Sequence, residues 1–316
     1  MNKYKKIIGI VGLDKIKKNN LTKRYKNIKF IDISDKNFFS EKKLNALLVY
    51  AEWPIKKNLG IFLKKKYNFF KDLKWVHLSR AGIDEFNNYL KVYNFKFTCG
   101  KTIQGPNVSE HCIALLLYLT RGLYKYDKKK FRPTELLGKN VLIVGLGGIG
   151  INIAEKLNSF GSNISGVDSN LKPNLSFIKK IFDYGDLNKV IKNFDVIINA
   201  TPLTKKTKNL FNKNIFKKMK NGVFFINVSR GSIVNTKDLK EYVSKNKFAG
   251  VGLDVIGDKD FVYRNPFKKF SNVVFSNHIA GITTDMNRRY DLLIRNFKRF
   301  ITNDDLINLV DKKKGY

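Results

Sequence analysis

Residues 140–161, NVLIVGLGGIGINIAEKLNSFG, set Gly145, Gly147 and Gly150 between a run of branched apolar residues and an amphipathic stretch. A chain with this order turns sharply from a strand into a helix, and G-x-G-x-x-G in that setting marks a dinucleotide-binding βα unit. Gly145 permits the tight turn and Gly147 lets backbone approach a pyrophosphate. Gly150 lets helix and strand pack closely, with the helix N-terminus facing the anion. Asp168 closes the next apolar run, 18 residues beyond Gly150. A carboxylate there accepts hydrogen bonds from ribose hydroxyls and repels a 2′-phosphate, so NAD is favoured over NADP as the expected cofactor. Ser169 and Asn170 follow, where an NADP site more often places arginine.

The rest of the chain alternates short β-branched or aromatic runs with helical patterns, as a parallel sheet with crossover helices requires. The first hundred residues offer strands at 6–12, 28–33, 46–51 and 73–79, with a helical pattern near 60–73. A strongly apolar helix is expected at about 108–124, and further strands at 140–145, 163–168, 195–200, 222–228, 249–255 and 272–277. A last helix near 283–300 carries Met286, Tyr290, Leu293, Ile294, Phe297 and Phe300 at core-facing spacing. The fold class is therefore α/β, and 316 residues suffice for two domains with a core in each.

The net charge of +35 invites a nucleic-acid reading, but 51 of the 61 basic residues are lysines spread along the whole chain. Arginine, the usual reader of base edges, is scarce. The charge is read as solvated surface, with no specific nucleic-acid partner expected. The longest apolar run, Cys112 to Thr120, is about half of what a bilayer needs, so no membrane partner is expected either. Cys99 and Cys112 form no metal or redox spacing, no metal site is indicated, and the expected setting is reducing and cytoplasmic.

A nicotinamide site acting on an anion needs a cationic clamp and a proton donor. Three histidines are present. His77 lies inside an apolar strand and His111 opens the buried helix, and both read as structural. His278 follows a strand in NVVFSNHIAG, where open α/β sheets place ligands. Arg230 stands in the same situation in FFINVSRGSIV, and its guanidinium suits a carboxylate. Asp254 closes a third strand in AGVGLDV.

Taken together, LSRAGIDEF (78–86), GPNVSEHCIALLLYLTR (105–121), GKNVLIVGLGGIG, INATPLTKKTKNLFN (198–212), INVSRGSIVN (226–235), GVGLDV and NHIAG resemble the D-isomer-specific 2-hydroxyacid dehydrogenase family. The likeness runs over nearly the whole chain. It implies two Rossmann-like, doubly wound parallel-sheet domains, an NAD-binding one (104–281) inserted into a split substrate domain (1–103 and 282–316). It also implies roles. Arg230 binds the substrate carboxylate and carbonyl, and His278 is the acid/base. Asp254 helps hold the nicotinamide carboxamide. Amides at Arg80, Ala81 and Gly82 cradle the carboxylate. Ala200, Thr201, Pro202, Val228 and Ser229 line the cofactor cleft, with Gly148, Ile149, Arg230, His278 and Gly281 completing the cofactor set.

Two positions depart from the family pattern. Its usual glutamate, five residues after the Asp254 position, is Lys259 here. Asp260 takes that place if Gly257 is an insertion, and Asp258 is nearest otherwise; Asp260 is preferred. Asn277 stands where proline is usual. The activity implied is NAD(H)-dependent interconversion of a small 2-oxo acid, such as glyoxylate or hydroxypyruvate, and a D-2-hydroxy acid, by a homodimer. Phosphoglycerate dehydrogenation and an NAD-sensing corepressor of the same fold are the alternatives. Trp53 could wall the pocket, though a core position suits it better.

Overall fold

The computed structural model describes residues 5–33, 44–50, 72–86, 94–123, 132–169, 175–257 and 265–316. The helical pattern near 60–73 and Trp53 lie outside these, apart from the last two residues of that pattern. The chain divides into two units, residues 1–103 with 284–316, and residues 104–283.

In the first unit, strands β1 (Lys6–Val11), β2 (Ile28–Asp32), β3 (Ala46–Val49), β4 (Trp75–Leu78) and β5 (Lys96–Cys99) form a parallel sheet ordered β2-β1-β3-β4-β5. Both of its faces are apolar, as a sheet covered on both sides demands. Val11, Leu47, Val49, Val76, Leu78, Phe97 and Cys99 point to one side, where Phe86 and Val310 cover them. Ile8, Ile10, Ala46, Leu48 and Trp75 point to the other. Helix α1 (Lys15–Arg24) adds only Leu21 to that second side, and the last helix, α7 (Asn287–Thr302), adds Leu293, Phe297 and Phe300. Each such side chain contributes roughly 1.5–3 kcal/mol on full burial, which is why the C-terminal helix returns to the N-terminal sheet. The chain end then pairs antiparallel with β5, Val310 N donating to Phe97 O at 2.8 Å.

β5 and α1 are additions to what the periodicity announced. β5 is four residues long, and its lysine and threonine interrupt the apolar run that marked the other strands.

His77, on β4, is fully buried. Trp75 Nε1 donates to Thr98 Oγ1 at 2.9 Å, and the same hydroxyl lies 2.8 Å from His77 Nδ1. His77 Nε2 is buried with no hydrogen-bond partner among the described residues. Burial pushes the imidazole pKa from 6.5 down to about 3. The unfolded chain takes up a proton below pH 6.5 that the folded chain refuses down to about 3, so stability is present above 6.5 and lost as pH falls through that window. Between pH 7 and pH 5 the loss from this group is about 2 kcal/mol. Denaturant unfolding of wild type and His77→Gln at the two pH values should show that difference; equal pH sensitivity of the two proteins contradicts it.

The second unit holds a seven-stranded parallel sheet ordered β12-β11-β10-β9-β6-β7-β8. Its strands are β6 (Asn140–Val144), β7 (Asn163–Val167), β8 (Lys180–Phe182), β9 (Val196–Asn199), β10 (Val223–Asn227), β11 (Phe248–Leu253) and β12 (Val273–Phe275). One face, with Val141, Ile143, Val196, Ile198, Phe224 and Ile226, lies under α2 (Gly105–Thr120) and α3 (Gly148–Ser159). Leu142, Val144, Ile197 and Phe225 face the short helices α4 (Leu187–Val190) and α5 (Lys213–Lys218) and helix α6 (Thr236–Ser244). β8, a three-residue edge strand, is a further addition to the sequence reading.

Helix α2 starts three residues earlier than its apolar pattern, because Pro106 is tolerated in a first turn. It ends at Thr120, where Gly122 takes a left-handed φ of 66°. α2 lies directly on β11. A Cβ on Gly250 would come within 3.0 Å of Leu119 Cβ, and one on Gly252 within 3.2 Å of Leu115 Cβ. Those alternating glycines bring the helix close to the sheet and hold it there. No described helix is long and apolar enough to cross a membrane.

Candidate active site

The second unit brings most of the expected site residues to the carboxyl ends of its strands. In spatial order these ends carry Asp168 (after β7), the glycine turn (after β6), Ala200–Pro202 (after β9), Val228–Arg230 (after β10), Asp254 (after β11) and His278 (after β12). The strand order reverses between β6 and β9, and such a switch point is where doubly wound sheets open a crevice.

The turn after β6 is built for glycine at two places. Gly145 has φ +96°, and a Cβ on it would press on the Thr201 backbone N at 2.7 Å. On Gly150 a Cβ would sit 1.9 Å from Gly145 O, so helix and turn touch through backbone alone. Gly147 differs: a Cβ there would meet nothing within 4 Å, leaving open space over the turn. Gly147 also caps α3 with no side-chain hydrogen bond, so the first N–H groups of Gly148 and Ile149 have no capping side chain. Asp168 Oδ2 accepts from Leu146 N at 2.8 Å, which ties the acid to the turn. This arrangement fits a dinucleotide: backbone donors and a helix N-terminus for the pyrophosphate, and a fixed carboxylate for a ribose.

A buried polar ladder joins the next two strand ends. Asn199 Nδ2 donates to Asn227 Oδ1 at 2.9 Å, and both residues are fully buried. Thr201 Oγ1 donates to Asn199 Oδ1 at 2.6 Å, Ser229 N donates to Asn227 Oδ1 at 3.2 Å, and Ser229 Oγ donates to Thr201 O. Asn227 Nδ2 reaches Arg230 O at 3.3 Å. Buried amides in a satisfied network stiffen the backbone they hold. Here they set residues 200–202 and 228–230. Arg230 Nη1 donates to Ser229 O at 2.9 Å, while the guanidinium stays partly exposed. Asn199 and Asn227 were not among the expected site residues. Their signal is a repeated pattern, N-A-T at 199–201 and N-V-S at 227–229, on strand ends that prove adjacent.

Asp254 is 1% exposed and its carboxylate is engaged by the loop that follows β12. Ser276 Oγ donates to Oδ1 at 2.8 Å and Ile279 N at 2.9 Å, and Ala280 N lies 3.2 Å from Oδ1 and 3.3 Å from Oδ2. His278 N donates to Asp254 O at 2.5 Å. Between those bonds, Asn277 and His278 both adopt left-handed φ, 57° and 63°. The conformation costs about 1–2 kcal/mol per non-glycine residue, an amount that hydrogen bonds to a carboxylate can offset. Proline, locked near φ −65°, cannot take the Asn277 conformation, which gives a physical reason for asparagine there. His278 is exposed in the middle of this loop. Gly281 follows, with Gln104 beside it. Arg230 and His278 thus follow β10 and β12, strands separated by β11 alone.

Arg80, Ala81 and Gly82 belong to the first unit, in the turn after β4, where the Arg80 guanidinium sits 5.4 Å from the Phe86 ring centroid. Asp258, Lys259 and Asp260 lie outside the described residues. Cys99 and Cys112 are buried, and burial pushes both thiols up, away from the nucleophilic form. Among the described residues no group of three or more His, Cys, Asp or Glu could hold a metal ion.

A sequence model described as "D-isomer specific 2-hydroxyacid dehydrogenase, NAD binding domain" matches residues 113–280, the stretch that holds all these strand ends. The chain belongs to the D-isomer specific 2-hydroxyacid dehydrogenase family. It is 31% identical over 220 residues to a glyoxylate reductase of Thermofilum pendens, covering 65% of each chain. It is 29% identical over 231 residues to a hydroxypyruvate reductase of Thermotoga maritima, covering 69% of this chain and 74% of the other. The match thus spans just under two thirds of the Thermofilum enzyme. Among solved structures, an NADPH-dependent glyoxylate/hydroxypyruvate reductase of Sinorhizobium meliloti, in complex with NADP and sulfate, superposes with a TM-score of 0.81. It is 20% identical, and the match covers 99% of this chain and 100% of that one. The family's α/β fold, with two Rossmann-like parallel-sheet domains, is the fold of this chain.

Proposed function

We propose that this dehydrogenase-family protein uses NAD(H) to interconvert a small 2-oxo acid of the glyoxylate or hydroxypyruvate kind and the corresponding D-2-hydroxy acid, as a cytoplasmic homodimer. The observation that supports it most is the single row of strand ends running from Asp168 and the glycine turn to Arg230 and His278. When bound, the nicotinamide supplies a hydride to the carbonyl carbon. Arg230 holds the substrate carboxylate and polarises its carbonyl, and a guanidinium does so without ever losing its charge. His278 delivers a proton to the carbonyl oxygen, so carbon gains the hydride and oxygen the proton. In the reverse direction it takes that proton back. The ladder from Asn199 to Ser229 fixes the backbone that carries Arg230. Ala81 and Gly82 amides are assigned to the carboxylate by the same reading, and Asp260 is assigned as the acid supporting His278. The relatives' names, glyoxylate reductase and hydroxypyruvate reductase, favour a small substrate.

NADH oxidation followed against a panel of 2-oxo acids, phosphohydroxypyruvate included, tests the reading. Turnover with glyoxylate or hydroxypyruvate supports it, whereas NADH binding without turnover of any member contradicts it.

The preference for NAD rests on Asp168. An asparagine at 168 keeps an acceptor for Leu146 N but loses the charge. Asp168→Asn should therefore shift the ratio of kcat/KM for NADPH over NADH upward by about 10-fold or more, the worth of a charged hydrogen bond and a relieved repulsion. A wild type that already prefers NADPH, or a ratio that does not move, rules out this role for Asp168.

A further inference from the structure

We propose that Asn107 and His111 are positioning residues which, from one face of α2, hold the 276–281 loop in the shape that aims His278. The inference rests on the reading of His278 as the proton donor. Positions 104, 107 and 111 share a helical face. All three meet the loop. Asn107 Nδ2 donates to Ala280 O at 3.1 Å, His111 Nε2 lies 2.7 Å from Ser276 Oγ, and a Cβ on Gly281 would come within 3.4 Å of Gln104 Nε2.

The hydrogen-bond count fixes the direction of the His111 contact. Ser276 has one hydroxyl proton and gives it to Asp254 Oδ1 at 2.8 Å. His111 must then donate from Nε2–H to Ser276 Oγ, with Asp254 Oδ1 3.5 Å beyond. The chain His111–Ser276–Asp254 ends on the amides of Ile279 and Ala280, and Asn107 takes the carbonyl of Ala280. The loop is thus bonded at both ends, around the left-handed pair Asn277–His278. α2 itself is a firm support, since Val108, Cys112, Leu115, Leu116 and Leu119 bury its other faces against the sheet. A side chain held in a strained loop keeps its aim only while those bonds last, and a misplacement of about 1 Å can cost a catalytic step about 100-fold.

The test uses the full-length protein in the 2-oxo acid assay, with NADH affinity read by fluorescence titration. His111→Leu and Ser276→Ala should each lower kcat by about 10- to 100-fold while the Kd for NADH stays within about twofold. His111→Gln, which can still donate to Ser276 Oγ, should recover most of the loss. The double variant His111→Leu/Ser276→Ala should be no slower than the slower single variant, because both cut one chain. Asn107→Ala should lower kcat in its own right. Should His111→Leu fail to fold, Ser276→Ala and Asn107→Ala decide the matter. Wild-type kcat in Ser276→Ala and Asn107→Ala, alongside an inactive His278→Ala, overturns the positioning role alone. A His278→Ala protein that turns over normally overturns the underlying functional reading.

Discussion

His278→Ala is expected to lower kcat for 2-oxo acid reduction by about 10²–10⁴-fold, the usual contribution of a positioned proton donor. The loss should fall on kcat and leave NADH binding nearly unchanged, because the cradle for the pyrophosphate is built from the turn after β6 and the start of α3, remote from the β12 loop. Folding should be unaffected, since the residue is exposed and its backbone N–H, which donates to Asp254 O, does not need an imidazole. Steady-state kinetics with a parallel thermal melt separate these effects. A variant with the wild-type kcat removes His278 from the chemistry.

Arg230→Ala carries the second large effect, and its signature is different. Two charge-assisted hydrogen bonds to a carboxylate, each about 1.5–3 kcal/mol, correspond to roughly 10²–10⁴-fold in kcat/KM. Both parameters should suffer, KM through lost binding of the carboxylate and kcat through lost polarisation of the carbonyl. Arg230→Lys should recover only part of it, because an ammonium replaces the planar fork by a point charge. A parallel thermal melt checks that the fold tolerates the change at this partly exposed residue, whose guanidinium donates to the neighbouring Ser229 carbonyl. An Arg230→Ala enzyme with unchanged KM for the 2-oxo acid separates this residue from the substrate.

Much of this site could be read from the amino-acid order because its physics is local. The Gly145 φ and the Gly150 contact belong to one turn, and Arg230, Asp254 and His278 each follow an apolar run that announces a strand end. What stayed hidden depends on contacts between distant parts of the chain. Asn199 and Asn227 look like ordinary strand ends until β9 and β10 lie side by side. His111 reads as a structural histidine on a buried helix until α2 is laid against the loop after β12. Helix α1 shows almost no apolar face, with Ile16 74% exposed and Leu21 its one buried residue. It is started by Asp14, whose side chain accepts from Lys17 N, and is kept by packing that only the folded sheet supplies. β8 is an edge strand of three residues, too short for a period to register.

The most direct test of the account follows the hydrogen itself. Hydroxypyruvate is incubated with NADH deuterated at the transferring C4 position of the nicotinamide, and the glycerate formed is analysed for isotope position and configuration. One deuterium is expected on C2 of D-glycerate. Formation of L-glycerate, or glycerate without deuterium at C2, contradicts it.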